Sequence, residues 1–209
     1  MRSKIDLIDL SEKYVAAVIS LEKFKEINSS DLSKGCTTNY REDPVYIDPR
    51  NEKLGAKVIS KLENIHLTIK KLNLKIADKN KYYSKSFELG IPQSDLNKLK
   101  DKIFGIENNL DELNGSDFKK GCYVGQENTS RIKLRNKLRR RILPVQKITG
   151  EISENDTIKF KDNDVGKIMI SEPYSFALVK VVEPDIKEFA NVELMCGESK
   201  VKILKPEWI

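Results

Sequence analysis

The feature that most constrains this chain is its last third, where six short apolar runs (residues 138–145, 157–160, 165–171, 176–182, 192–195 and 200–204) alternate with turns carrying Gly, Pro, Asn or Asp. Runs of that length leave no room for long helices, and regular short strands with such punctuation predict a small β-barrel. The chain before residue 137 has a different texture. Loose alternation over 4–10 and the valine- and isoleucine-rich run 14–19 read as strands. Ser20 is placed to cap a short helix over 21–27 that ends near Asn28. A polar loop with Gly35, Cys36 and Asn39 leads to a strand at 45–48, broken by Pro49, and another at 54–60. Residues 61–76 fit neither a helical nor a strand period, and the sole histidine, His66, reads there as structural. Asp78 caps a helix in which Tyr82 or Tyr83 shares a face with Phe87, a stripe that reads as core, and Gly90 and Pro92 close it. Ser94 opens a second short helix through Leu96 and Leu99. The expected fold class is α+β, with an α+β domain over 1–136 and a β-barrel over 137–209.

With 209 residues and 39% hydrophobic content, the chain can bury a real core. No apolar run approaches the roughly 18 residues that span a bilayer, and the N-terminus lacks the charged-then-apolar pattern of a secretory signal. The expectation is therefore a soluble intracellular protein, cytoplasmic, or in the mitochondrial matrix in a eukaryote. Cys36, Cys122 and Cys196 are odd in number and far apart, with no CxxC, so neither a disulfide framework nor a self-contained zinc or iron-sulfur site is indicated. No resident metal site is expected.

The net charge of +6 is concentrated. Residues 119–141 hold nine Lys or Arg against one acid, Glu127, a local +8 that leaves −2 for the rest of the chain. A local basic segment points to an anionic ligand or partner, or to a solvated helix face and strand side. Within it, residues 119–131 gather a thiol, two glycines, an amide, a carboxylate and several cations. A helix is predicted over 125–134, with Glu127 and Arg131 four apart on one face. A cysteine beside a helix N-terminus, with lysines just upstream, is in the environment that lowers a thiol pKa. The same residues also fit a glycine-rich turn, a small buried thiol and a surface ion pair, and residue types alone leave both readings open.

The run KGCYVGQENTSR (120–131), preceded by IENNLDELNG (106–115) and followed by RRRILPV (139–145), closely resembles the signature of the YgfZ family of folate-binding proteins. That family is related to the aminomethyltransferase (T-protein) of the glycine cleavage system. Asp48-Pro49-Arg50, Leu54-Gly55-Ala56-Lys57, Leu89-Gly90-Ile91-Pro92 and Pro206-Glu207-Trp208 match as well, so the resemblance covers most of the chain. It implies a T-protein-like folate-binding α+β domain, expected to be short at its N-terminus, followed by the C-terminal barrel. It implies tetrahydrofolate as cofactor, with Glu107 orienting the pterin ring through two parallel hydrogen bonds. Gln126 and Arg131 would line the pocket, Lys120, Tyr123 and Glu127 would contact the folate, and Cys122 would be a reactive thiol. The implied function is an accessory factor for iron-sulfur cluster assembly or maintenance, acting on assembly or client proteins and indirectly on tRNA modification. A one-carbon transferase and an RNA-binding module are the alternatives. The first has no use for the cysteine signature, and the second lacks exposed aromatics interleaved with the basic residues for base stacking.

Overall fold

The structure, a computed structural model, describes residues 4–121, 126–134 and 138–209, with backbone only for Gln126 and Asn128. It forms two compact units, Met1–Ala77 and Asp78–Ile209.

The first unit contains strands β1 (Tyr14–Ile19), β2 (Thr37–Tyr40), β3 (Asp43–Ile47) and β4 (Ala56–Lys61), with helices α1 (Leu21–Ile27) and α2 (Ile65–Lys71). The strands make an antiparallel sheet in the order β1-β4-β3-β2. Side chains alternate across the sheet, so Val45 and Ile47 on β3 and Ala56 and Val58 on β4 share one buried face with Ile19. Phe24 of α1 is fully buried against them. Ser20 caps α1 as expected, its hydroxyl accepting from the Lys23 N–H at 3.4 Å.

Three sequence expectations change here. Residues 4–10 form no strand: their apolar positions 5, 7, 8 and 10 break a period of two, and Ile5, Leu7 and Ile8 stand 73–92% exposed. The polar loop around Asn39 is partly strand β2, in hairpin with β3 through Arg41 and Glu42, both at positive φ. The ambiguous stretch 61–76 contains α2.

The second unit opens with α3 (Lys79–Glu88), capped by Asp78, whose carboxylate accepts from the Asn80 N–H at 2.9 Å. Phe87 packs edge-on against Phe176, ring centroids 5.7 Å apart, in a cluster with Leu99, Ile142, Met169 and Ile170. The aromatic stripe is core, as its spacing suggests. The next helical turn, Leu96–Leu99, starts at Asp95 in a left-handed conformation, one residue later than the Ser94 start expected from capping. A run of turns spans residues 105–114, followed by α4 (Gln126–Leu134).

Strands β5 (Arg140–Thr149), β6 (Thr157–Phe160), β7 (Asn163–Ile170), β8 (Phe176–Lys180), β9 (Glu193–Cys196) and β10 (Ser199–Ile203) close into an antiparallel barrel in the order β10-β5-β8-β7-β6-β9. Closure gives every barrel strand two neighbours, and the interior is filled by Leu143, Val145, Ile158, Val165, Ile168, Ala177, Val179 and Val201. The short helix α5 (Ile186–Phe189) adds Ile186 and the fully buried Phe189 to this core. Two of the sequence motifs meet here. The Trp208 ring N–H donates to the Leu89 carbonyl at 2.7 Å, and Gly90 lies so close to Pro206 that an added Cβ would sit 2.2 Å from its ring.

Candidate functional site

β10 pairs with β5 only from Val145 onward, so the first residues of β5 need another partner on that side. The turn run supplies it. The Ile142 N–H donates to the Glu107 carbonyl at 2.8 Å, and the Asn109 side-chain amide donates to the Ile142 carbonyl at 2.8 Å. Asn109 is fully buried. This backbone docking brings the acids of residues 107–112 against the arginines that start β5.

Glu107 is 6% exposed. Its Oε1 accepts from Arg140 Nε and Nη2, each at 2.9 Å, and its Oε2 accepts from the Phe104 N–H at 3.0 Å. Arg141 donates to Asn109 Oδ1 at 3.0 Å and to Glu112 Oε1 at 2.6 Å. Lys133 of α4 pairs with Asp111 and lies 5.4 Å over the Phe118 ring. Three cations of the basic strip are thus bound to three acids of one loop. Ile106, Asp111, Glu112, Ile132, Lys133, Leu138 and Arg141 line a small pocket of about 70 Å³. That is the share of liquid volume of roughly two waters, well below the ~300 Å³ at which ligand pockets usually start. Among the described residues, two buried acceptor atoms in the same run, Asn108 Oδ1 and Glu112 Oε2, have no hydrogen-bond partner.

The sequence-derived site residues fall as follows. Glu107 is the buried hub of the turn run. Lys120 is exposed, and Glu127 and Arg131 are exposed on α4. Gln126 opens that helix, and Cys122 and Tyr123 lie outside the described residues. Asn109, Asp111, Glu112, Arg140 and Arg141 belong to the cluster without having been singled out as site residues. The available signal was the acidic run 107–112, one loop upstream of the basic strip.

The two described thiols lie elsewhere. Cys196 is buried in the barrel core, where burial first and then the charge of Asp156 push its pKa up to about 11. The Cys36 thiol is also raised, by burial first and by Asp31 beside it. Both should be poor nucleophiles near neutral pH. Native-state alkylation with a small haloacetamide, read by peptide mass spectrometry, should therefore modify Cys122 first. Earlier labelling of Cys36 or Cys196 would make Cys122 an ordinary structural thiol. Among the described residues, no group of three or more His, Cys, Asp or Glu could hold a metal ion. No helix among them is long and apolar enough to cross a membrane.

No protein-family model matches the chain. Over 147 residues, 69% of its length, it is 33% identical to the iron-sulfur cluster assembly factor IBA57 homolog, mitochondrial, of Dictyostelium discoideum. It is 30% identical over 152 residues, 71% of its length, to the protein of the same description from Neurospora crassa. It is 29% identical over 99 residues to iron-sulfur cluster assembly factor IBA57, mitochondrial, of Mus musculus. These relatives are iron-sulfur cluster assembly factors. The matched region covers 35%, 31% and 27% of the three relatives, so the chain spans about a third of the length of the curated relatives it matches.

Proposed function

We propose that this chain serves iron-sulfur cluster assembly in the mitochondrial matrix, as a YgfZ-type accessory factor with a T-protein-like, folate-binding architecture. The observation that carries the reading is the 33% identity over 69% of the chain to a factor named for that process. Its support of client enzymes would reach tRNA modification indirectly. Tetrahydrofolate is the proposed cofactor, and Glu107 the carboxylate that holds the pterin. In the structure Glu107 Oε1 is taken by Arg140, whose side chain is 47% exposed. An ion pair with one half-exposed partner is cheap to open, so Arg140 swings to water as the ligand enters. Oε2 keeps its Phe104 N–H and has a second lone pair for the ring. Lys120, Tyr123, Gln126, Glu127 and Arg131 complete the proposed pocket, and Cys122 provides a thiol for transient contact with a cluster or partner.

The commitment of Lys133, Arg140 and Arg141 to acids of the same loop weighs against RNA binding, which would need them turned toward phosphates. The test is a tetrahydrofolate titration beside an RNA titration at two salt concentrations, with Glu107→Gln as the variant. Folate affinity should fall by about 1–3 kcal/mol in the variant, the size of a lost charge-assisted pair. Equal affinity in the two proteins removes Glu107 from the site, and tight salt-sensitive RNA binding without folate binding replaces the proposal.

A further inference from the structure

A second concentration of positive charge lies outside the basic strip. Residues 70–81 hold five lysines (Lys70, Lys71, Lys75, Lys79 and Lys81) against one acid, Asp78, a local +4. All five are exposed, and among the described residues no acid pairs with any of them. Lys133, Arg140 and Arg141 of the strip, by contrast, are bound to acids of their own chain. Asp78 is committed to capping α3, its carboxylate accepting from the Asn80 N–H at 2.9 Å. Local helix stability accounts for only part of the lysines. Lys70 and Lys71 stand in the last turn of α2, where a cation suits the helix dipole, but Lys79 and Lys81 stand in the first turn of α3, where the dipole opposes them. Between the two pairs Ile76 is 87% exposed, in an irregular stretch whose Leu74 packs against the core of the first unit.

We propose that residues 70–81 dock the protein onto an anionic lipid surface, the lysines lying against headgroup phosphates and Ile76 entering the boundary between headgroups and acyl chains. Each lysine beside such a surface raises binding by about fivefold. Several cations acting with an apolar side chain combine the two kinds of contact that hold a protein to a membrane without spanning it. The chemistry favours lipid over nucleic acid. A phosphate backbone has no use for Ile76, and the aromatics next along the chain, Tyr82 and Tyr83, are half-buried with ring centroids 6.0 Å apart rather than standing free for base stacking. None of these residues belongs to the proposed folate pocket, so the two readings stand or fall separately.

The test is co-sedimentation of the full chain with vesicles of phosphatidylcholine alone and of phosphatidylcholine with about one-third phosphatidylglycerol. Binding is expected to the anionic vesicles only, and should fall about tenfold or more as salt rises from roughly 0.05 to 0.5 M. Lys75→Glu with Lys79→Glu should lower it about tenfold or more, and Ile76→Ser should lower it several-fold with the salt dependence unchanged. A glutamate at position 79 suits the first turn of α3, so the double variant should melt no earlier than wild type. Lys75→Gln with Lys81→Gln provides a milder second variant if it does. Lys167→Glu with Lys180→Glu, a reversal of the same size at exposed barrel positions, should leave binding within about twofold of wild type. Equal losses in the two reversals overturn the proposal, as do equal binding to neutral and anionic vesicles and a wild type that binds neither. RNA binding that depends on Lys75 and Lys79, in a protein that ignores vesicles, overturns it in favour of a nucleic-acid contact.

Discussion

Gly55→Ala is expected to unfold the N-terminal unit at temperatures where the rest of the chain holds. Gly55 sits at φ 87°, ψ −159°, a backbone region that is essentially closed to residues with a Cβ. An added Cβ would lie 2.3 Å from the Ile19 carbonyl oxygen, a backbone atom at the end of β1 that can retreat only by breaking its register with β4. The strained dihedral costs about 1–3 kcal/mol and the forced backbone shift about as much again. A total of about 3–5 kcal/mol removes most of the stability of a unit this small. Its melting temperature should fall by roughly 15 °C or more. Gly197→Ala is the control, since it shares a positive φ of 61° but meets nothing within 4 Å, and it should cost only about 1 kcal/mol. Equal effects of the two substitutions would show that dihedral strain alone matters and that the contact with Ile19 does not.

The parts of the fold that were legible in the sequence are those fixed by local chemistry. The run 157–160 is strand β6 as read, and the other barrel strands differ from their readings only at their ends, because β-branched residues and Gly, Pro, Asn or Asp turns act within a few residues. The helix after Ser20 was legible for the same reason. Strand β2 was not. Its sequence TTNY has no apolar alternation, and its turn, Arg41-Glu42, uses positive φ without the Asn or Gly that normally marks a two-residue hairpin. What holds β2 is pairing with β3, whose inward Val45 and Ile47 are sealed by Phe24.

The site divides in the same way. The glycine- and cysteine-containing signature carries the family resemblance on its face, and Glu107 could be named from it. The ion pairs could not. Lys133 meets Asp111 across 22 residues of sequence, and Arg140 meets Glu107 across 33. A charge count over 119–141 therefore registers a basic strip, whereas in the fold part of that strip is neutralised by a loop lying just outside the counted window. The Glu112 Oε2, without a partner among the described residues, is still less legible, since it depends on which oxygen Arg141 engages.

Asp48 provides the second large effect. Its carboxylate is 1% exposed and ties together the loop that leaves β3 and the strand that follows. Oδ1 accepts from the Arg50 backbone N–H and Nε, both at 3.0 Å, Oδ2 accepts from Arg50 Nη2 at 2.8 Å, and Lys57 Nζ of β4 stands 3.4 Å from Oδ2. The motif Asp48-Pro49-Arg50 is thus a folding clamp. Removing one partner of a buried pair usually costs about 3–5 kcal/mol. Arg50 and Lys57 still reach water, at 23% and 26% side-chain exposure, so about 2–4 kcal/mol is expected for Asp48→Ala. Burial pushes the Asp48 pKa up, but the Arg50 hydrogen bonds and the charges of Arg50 and Lys57 outweigh it and hold the carboxyl below its ordinary value. A group whose folded pKa is depressed adds stability that is fully present above the unfolded value of about 3.9 and is lost as pH falls through the lower folded value. Acid unfolding of the wild type should therefore steepen below about pH 4. Asp48→Asn should start less stable, show a flatter acid limb and converge with wild type at the lowest pH. Parallel acid limbs in the two proteins would assign the acid sensitivity to other carboxylates and reduce Asp48 to a neutral hydrogen-bond acceptor.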